Sequence, residues 1–312
     1  MLGEKLLHVV PHFIGKYVAG FGFNEGRKVF RHTGLSVGFG DGFHAFTGFL
    51  DGRATVGFAE VQMQRTRGNE AGDVGRVAVL KELGYDGIGS ANLNADLPLP
   101  QRLKAYDDAG LKLFSFYVGG RLSGNGTKGH SYSPAITQAL PHLKGRNTFL
   151  ELYVQGNKRS NTDEQAVAFV QEIADQAKAN GVKIVLYPHT GFYIDRLSDA
   201  VRIARKAKRD NVGVMFNLCH FLRVEPKTEL AAALKDAGPL LWRVSTSGAE
   251  IDGTSWGQLI QTVDRGNYDQ AALRAQLRAV GFQGPVGFQC YAIRGDSKTN
   301  LQRSINAWNK LK

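Results

Sequence analysis

From about residue 74 to the end of the chain, short apolar runs alternate with segments whose apolar side chains recur every three to four residues. These are the periods of buried strands and of amphipathic helices. Helices are predicted over residues 74–83, 98–109, 134–143, 162–180, 195–207, 227–237, 269–280 and 298–311. Strands are predicted between them at 85–89, 111–118, 148–154, 182–187, 212–217, 240–246 and 285–290. The longest helical segment carries Val167, Val170, Ile173, Ala174 and Ala177 on one face, and Gly181 follows as a natural stop. Strand starts recur every 26 to 45 residues, the size of one β/α unit. Continuous apolar strands between amphipathic helices imply a parallel sheet covered by helices. Seven strands are countable, and an eighth before Val74 completes an α/β fold of the (β/α)8 TIM-barrel type. A doubly wound open sheet is the alternative, but it needs a phosphate-binding turn after an early strand, and none is found.

The first 70 or so residues depart from this scheme. They are rich in Gly and Phe and have little helical periodicity. The missing strand is expected within 42–61, with 54–61 the best match. The domain reading is therefore an atypical, poorly ordered Gly/Phe-rich segment at 1–50 followed by the barrel at 51–312. Lys5 and a short apolar patch open the chain, but His8, Pro11 and His12 interrupt the patch before a secretory core can form, so a cytoplasmic location is expected.

Composition narrows the partners. The 312 residues are 43% hydrophobic, enough for the core of one large barrel, and no apolar stretch reaches the ~18 residues of a membrane span. Cys219 and Cys290 cannot make a disulfide framework or a four-thiolate zinc site and read as reduced and buried. The formal charge is +11. Its densest run, Arg202, Arg205, Lys206, Lys208 and Arg209, lies on an amphipathic helix and reads as a solvated outer face rather than a nucleic-acid footprint.

In such a barrel, chemistry sits at the C-terminal ends of the strands. Those ends read Glu151, Tyr153 and Gln155; Tyr187, Pro188 and His189; Asn217, Cys219 and His220; Ser245, Thr246 and Ser247; and Gln289, Cys290 and Tyr291. Any one of these has a structural explanation: a satisfied core histidine, a capping Asn217, a Gln289 that pairs with backbone. Convergence from five successive strands favours a ligand. Glu151, the one carboxylate inside a strong strand, is either paired with a cation or poised for proton work. Tyr153, Tyr187, Phe192 and Tyr291 could form a platform for a sugar ring or could simply pack. Gly124–Gly129 matches G-x-G-x-x-G but lies in a loop that opens no helix, which removes the nucleotide reading. Cys219 and His220 are not a nucleophile–base pair by adjacency, because neighbours on a strand point to opposite faces.

KELGYDGIG (81–89), AGLKLFSFYV (109–118), VKIVLYPHTGF (182–192), NVGVMFNLCHF (211–221) and GPVGFQCY (284–291) follow in an order that resembles the xylose-isomerase-like barrel superfamily. These are the sugar (phosphate) isomerases and epimerases, which also include endonuclease IV, and the resemblance spans about 74–312. It implies proton transfer next to the carbonyl of a sugar or polyol, with carboxylates as acid and base and a divalent metal (Mg, Mn or Zn) stabilising the enediolate. The family's Glu, Asp, His and Glu ligands on strands five to eight fall here on Tyr187, Asn217, Ser245–Ser247 and Gln289. His220 keeps the place of the family's Asp-x-x-His histidine. Neutral groups thus replace the ligand set, no metal-binding residue is assigned, and the cofactor stays open. The titratable groups that remain, Glu151, His189 and His220, are the catalytic candidates. Tyr153, Tyr187, Asn217, Gln289 and Tyr291 are the substrate-binding candidates. The expected partner is a small sugar or sugar phosphate, with neither nucleic acid nor membrane. A catalytically silent carbohydrate-binding barrel is the rival reading; an endonuclease-IV-like activity fails on the missing trinuclear zinc ligands.

Overall fold

The computed structural model describes residues 73–311 except 94, 96 and 124–128, preceded by the backbone of two short strands, β1 (His44–Thr47) and β2 (Gly57–Phe58). Beyond β1, the expectations for 1–50 lie outside the described residues, as does most of the glycine motif at 124–129. The first units are α1 (Asp73–Glu82), β3 (Gly87–Gly89), α2 (Leu99–Ala109), β4 (Lys112–Leu113) and β5 (Ser115–Leu122). A short strand, β6 (His130–Tyr132), folds back antiparallel on β5 before α3 (Ala135–Leu143). Then come β7 (Phe149–Gln155), α4 (Asp163–Lys178), β8 (Lys183–Leu186), α5 (Leu197–Ala207), β9 (Val212–Asn217), α6 (Leu218–Val224) and α7 (Leu230–Ala237). The chain finishes with β10 (Leu241–Thr246), α8 (Trp256–Leu259), α9 (Gln270–Ala279), β11 (Val286–Gln289) and α10 (Ser297–Lys310).

Parallel pairing runs from β3 to β4, from β5 to β7, and on in order through β8, β9, β10 and β11. β1 lies antiparallel between β11 and β3 and closes the ring. The strand expected at 54–61 is present as Gly57–Phe58 and runs parallel to β3. The place beside β11, however, is taken by a strand of the opposite sense. The unpaired amides of β11 and β3 are satisfied by an antiparallel neighbour equally well.

Helix ends follow local chemistry. Thr162 and Gln165 form a reciprocal capping box at the start of α4, where Asp163 and Glu164 also meet the positive end of the helix dipole. Gly181 takes φ 68° just beyond the end of α4. Cations on and just after α5 meet aspartates: Arg202 pairs with Asp163 and Asp199, Lys206 with Asp163, Arg205 with Asp236 and Arg209 with Asp175. That face is an ion-pair lattice. Among the described residues no helix is long and apolar enough to cross a membrane.

The strands divide two apolar layers. Leu150, Leu152 and Val154 of β7 join Phe169, Val170 and Ile173 of α4 in the outer layer between sheet and helices. Val185, Tyr187 and Met215 form a separate inner cluster with Tyr117, Phe149, Tyr153 and Trp242. The alternation of β7 sends its odd-numbered residues into the barrel, so Glu151 enters the interior between Phe149 and Tyr153.

Candidate functional site

The inner layer begins with a charge pair. Glu151 and Arg243 are both fully buried, with Arg243 Nε 3.3 Å from Glu151 Oε1. Ser115 donates to the carboxylate at 2.7 Å, Ser90 donates to it as well, and Arg243 Nη1 donates 2.9 Å to the Phe114 carbonyl oxygen. Burial raises the Glu151 pKa against the opposing pull of Arg243, and burial lowers Arg243 to about 10. Of the two states open to Glu151, pairing with a cation is the one observed. The Arg243 guanidinium also lies 5.2 Å from the centre of the Phe149 ring.

Aromatic rings fill the barrel toward the strand ends. Tyr117 meets Tyr153 at 4.7 Å and Tyr187 at 4.9 Å between ring centres. Tyr187 is buried and accepts a 2.7 Å hydrogen bond from the Asn217 amide, and burial holds its phenol well above its ordinary pKa. Asn217 Oδ1 in turn accepts from the Cys219 thiol at 3.1 Å. Burial pushes that thiol up to about 12, with the Gln289 side chain as a further partner.

Beyond β8 the chain turns sharply through His189-Thr190-Gly191-Phe192, closed by a 3.0 Å bond from the Phe192 amide to the His189 carbonyl oxygen. Gly191 takes φ 82° there, a left-handed value that glycine adopts without strain. The turn stacks His189 on Phe192 with ring centres 4.0 Å apart. Helix α6 begins directly after β9, so Cys219 and His220 lie in a helical turn and not on a strand. Strand alternation therefore does not govern them; the two side chains separate because His220 faces the turn while Cys219 bonds back to Asn217. His220 stands 4.3 Å from His189 and 5.8 Å from Tyr187, ring centre to ring centre. Trp256, 38% exposed, meets the other side of His220 at 5.2 Å. Burial lowers His189 to about 4, which leaves the ring neutral at physiological pH.

The structure thus brings Tyr153, Tyr187, His189, Asn217 and His220 into one connected cluster, with Phe192 beside them. Gln289 joins it through Cys219, and its Oε1 accepts the Tyr291 amide at 3.2 Å. Glu151 sits deeper, in the ion pair beneath Tyr187. Tyr291 packs partly buried against the outer apolar layer, apart from the ring cluster. Tyr117, Thr190, Trp256 and Arg243 belong to the arrangement and were not singled out from sequence. Arg243 carried a usable signal, since a cation inside the apolar strand LWRVST is the natural partner for a carboxylate inside FLELYV.

The positions equivalent to the family's metal ligands do not fit a divalent cation. Tyr187, Asn217 and Gln289 present neutral oxygens already engaged with Asn217, Cys219 and the Tyr291 amide. Thr246 donates to Gln270, and Ser247 donates to the Leu259 carbonyl oxygen. Nothing in that set supplies the anionic oxygens that offset dehydration of a hard cation. Among the described residues no group of three or more His, Cys, Asp or Glu side chains is arranged to hold a metal.

Solved structures share this fold. The 3-keto-D-glucoside 4-epimerase YcjR from E. coli is 19% identical, with 76% of this chain and 94% of that one covered at a TM-score of 0.59. D-allulose 3-epimerase from Methylomonas sp. is 16% identical over 77% and 91% of the two chains, TM-score 0.60. An AP endonuclease, family 2, from Brucella melitensis is 16% identical over 73% and 90%, TM-score 0.58. No curated protein matches the chain. The family model described as xylose isomerase-like TIM barrel matches residues 77–311, three quarters of the sequence and all the parallel strands β3–β5 and β7–β11. The chain belongs to the xylose isomerase-like TIM barrel family.

Proposed function

We propose that this barrel is a sugar isomerase/epimerase-like protein that takes a sugar or sugar-like polyol against the ring cluster and moves a proton next to its carbonyl through His189 and His220. The observation that carries the reading is the tilted contact of these two histidines, ring centres 4.3 Å apart, from adjacent strand ends within a cluster of Tyr117, Tyr153, Tyr187, Phe192 and Trp256. Aromatic faces suit the C–H surfaces of a sugar ring, and phenol, amide and imidazole groups suit its hydroxyls. The neutral character of these side chains favours a hydroxyl-bearing ring with no charged group at this point. The epimerase neighbours agree in substrate class, and this family works at the strand ends. Glu151 becomes a support beneath the site in this proposal, because its carboxylate is committed to Arg243, Ser90 and Ser115. The proton work falls to the histidines, while Asn217 and Gln289, tied into internal hydrogen bonds, brace the wall of the site.

Solvent-deuterium incorporation into a panel of aldoses and ketoses tests this. Exchange is expected with the wild-type protein and is expected to drop at least about a hundredfold in His189→Ala and in His220→Ala, the low end of the usual contribution of a positioned acid or base. Exchange that persists unchanged in both variants would overturn the assigned roles. One observation favours the rival reading. A histidine lowered to about 4 is a weak base, and the barrel carboxylate is sequestered. Sugar-induced thermal stabilisation without any exchange would identify a binding barrel that does not turn its ligand over.

A further inference from the structure

Both histidines are held at Nδ1 by the same residue. The Thr190 carbonyl oxygen lies 2.9 Å from His189 Nδ1. A carbonyl only accepts, so His189 Nδ1 carries the hydrogen, and Nε2 of the neutral ring keeps its lone pair. The Thr190 amide nitrogen lies 3.2 Å from His220 Nδ1. An amide N–H only donates, so His220 Nδ1 is bare, and the hydrogen of its neutral ring resides on Nε2. The Thr190 hydroxyl, 3.0 Å from the same Nδ1, reinforces this state as a second donor. One peptide unit on either side of a single Cα therefore imposes opposite tautomers on two rings in contact. The turn makes this possible, because Thr190 is its second residue and Gly191 supplies the left-handed third.

We infer that Thr190 is a positioning residue that fixes His189 as a proton acceptor at Nε2 and His220 as a hydrogen-bond donor at Nε2, so that two neutral imidazoles act as a base–donor couple. The inference rests on the proton-transfer reading given above. The step balances without a co-reactant. A C–H bond next to the substrate carbonyl breaks and its proton forms an N–H bond at His189 Nε2. The electron pair becomes the C=C of an enolate, whose oxygen takes a hydrogen bond from His220 Nε2–H with no transfer of that proton. In the second half His189 delivers the proton to the former carbonyl carbon while the adjacent hydroxyl proton passes to the enolate oxygen, so the carbonyl moves by one carbon. A neutral imidazole donor at the oxygen supplies the kind of preorganised stabilisation that a cation would otherwise give there.

The test is a long-range ¹H–¹⁵N correlation spectrum of the full-length protein with ¹⁵N-labelled histidine at neutral pH, with the two rings assigned through His189→Asn and His220→Asn. The expected result is the Nδ1–H form for His189 and the Nε2–H form for His220. Thr190→Ala, which keeps both backbone groups, should leave both tautomers in place. Thr190→Pro removes the amide N–H along with the hydroxyl, whose separate effect Thr190→Ala reports, and should release His220 into a tautomer mixture while His189 stays as it was. Two rings in the same tautomer, or a Thr190→Pro protein that folds and keeps His220 wholly in the Nε2–H form, would overturn the inference. The readout needs no turnover. Opposite tautomers combined with absent deuterium exchange would leave the role of Thr190 standing and overturn the proton-transfer reading instead.

Discussion

Glu151 and Arg243 carry opposite charges into a part of the barrel with no solvent exposure. Such a pair contributes little net stability compared with apolar packing, but removing one partner strands the other. Glu151→Gln is expected to cost about 3–5 kcal/mol in chemical denaturation. The double variant Glu151→Gln/Arg243→Met should recover much of that loss; equal losses in single and double variants would show that the charge pair is not the reason. His189 gives a different signature. Its folded pKa, about 4, lies below its ordinary 6.5, so the unfolded chain binds the proton first. Its contribution is fully present above about 6.5 and is lost as pH falls toward 4, by up to about 3 kcal/mol. His189→Phe should flatten the stability profile in that window; an unchanged acid slope would contradict the neutral, buried ring.

Single glycines decide how the strand ends meet. A Cβ on Gly119 of β5 would stand 2.2 Å from the Tyr153 carbonyl oxygen and 2.5 Å from its ring, so Gly119→Ala must push Tyr153 off its seat. It is expected to cost about 1–3 kcal/mol and to weaken sugar affinity. Gly191→Ala meets nothing within 4 Å and pays only for its positive φ, about 1 kcal/mol. Melting curves and ligand titrations on the two variants separate crowding from backbone strain; equal effects of both kinds would contradict this account. The order of elements was legible because each β/α unit writes its two periods plainly, and the predicted strand at 212–217 matches β9 residue for residue. Less was legible where length fails. Helix α8 has four residues and β6 three, too short for a period to register, and α6 continues an apolar strand without a break in hydrophobicity. Tyr117 was hidden for a related reason, since one aromatic inside LKLFSFYV does not reveal which face it takes. The strand-end list found His189 and His220, but their contact depends on a turn and a helix start that composition alone does not locate.

At the scale of the molecule, the ring of strands sorts charge. Cations on and just after α5 are matched by aspartates on the outside, the Glu151–Arg243 pair is sealed inside, and the strand ends between them are neutral and aromatic. The family's anionic metal ligands are absent from those ends, and oxygens tied into internal hydrogen bonds occupy their positions. The account therefore stands on sugar recognition that needs no divalent ion. Its most direct test is ligand-induced thermal stabilisation across a panel of aldoses, ketoses and polyols, measured once with chelator present and once with excess Mn²⁺ or Zn²⁺. The account predicts that a sugar which raises the melting temperature does so equally under both conditions, and that His189→Ala weakens the effect in both. Stabilisation that appears only when metal is supplied would contradict it.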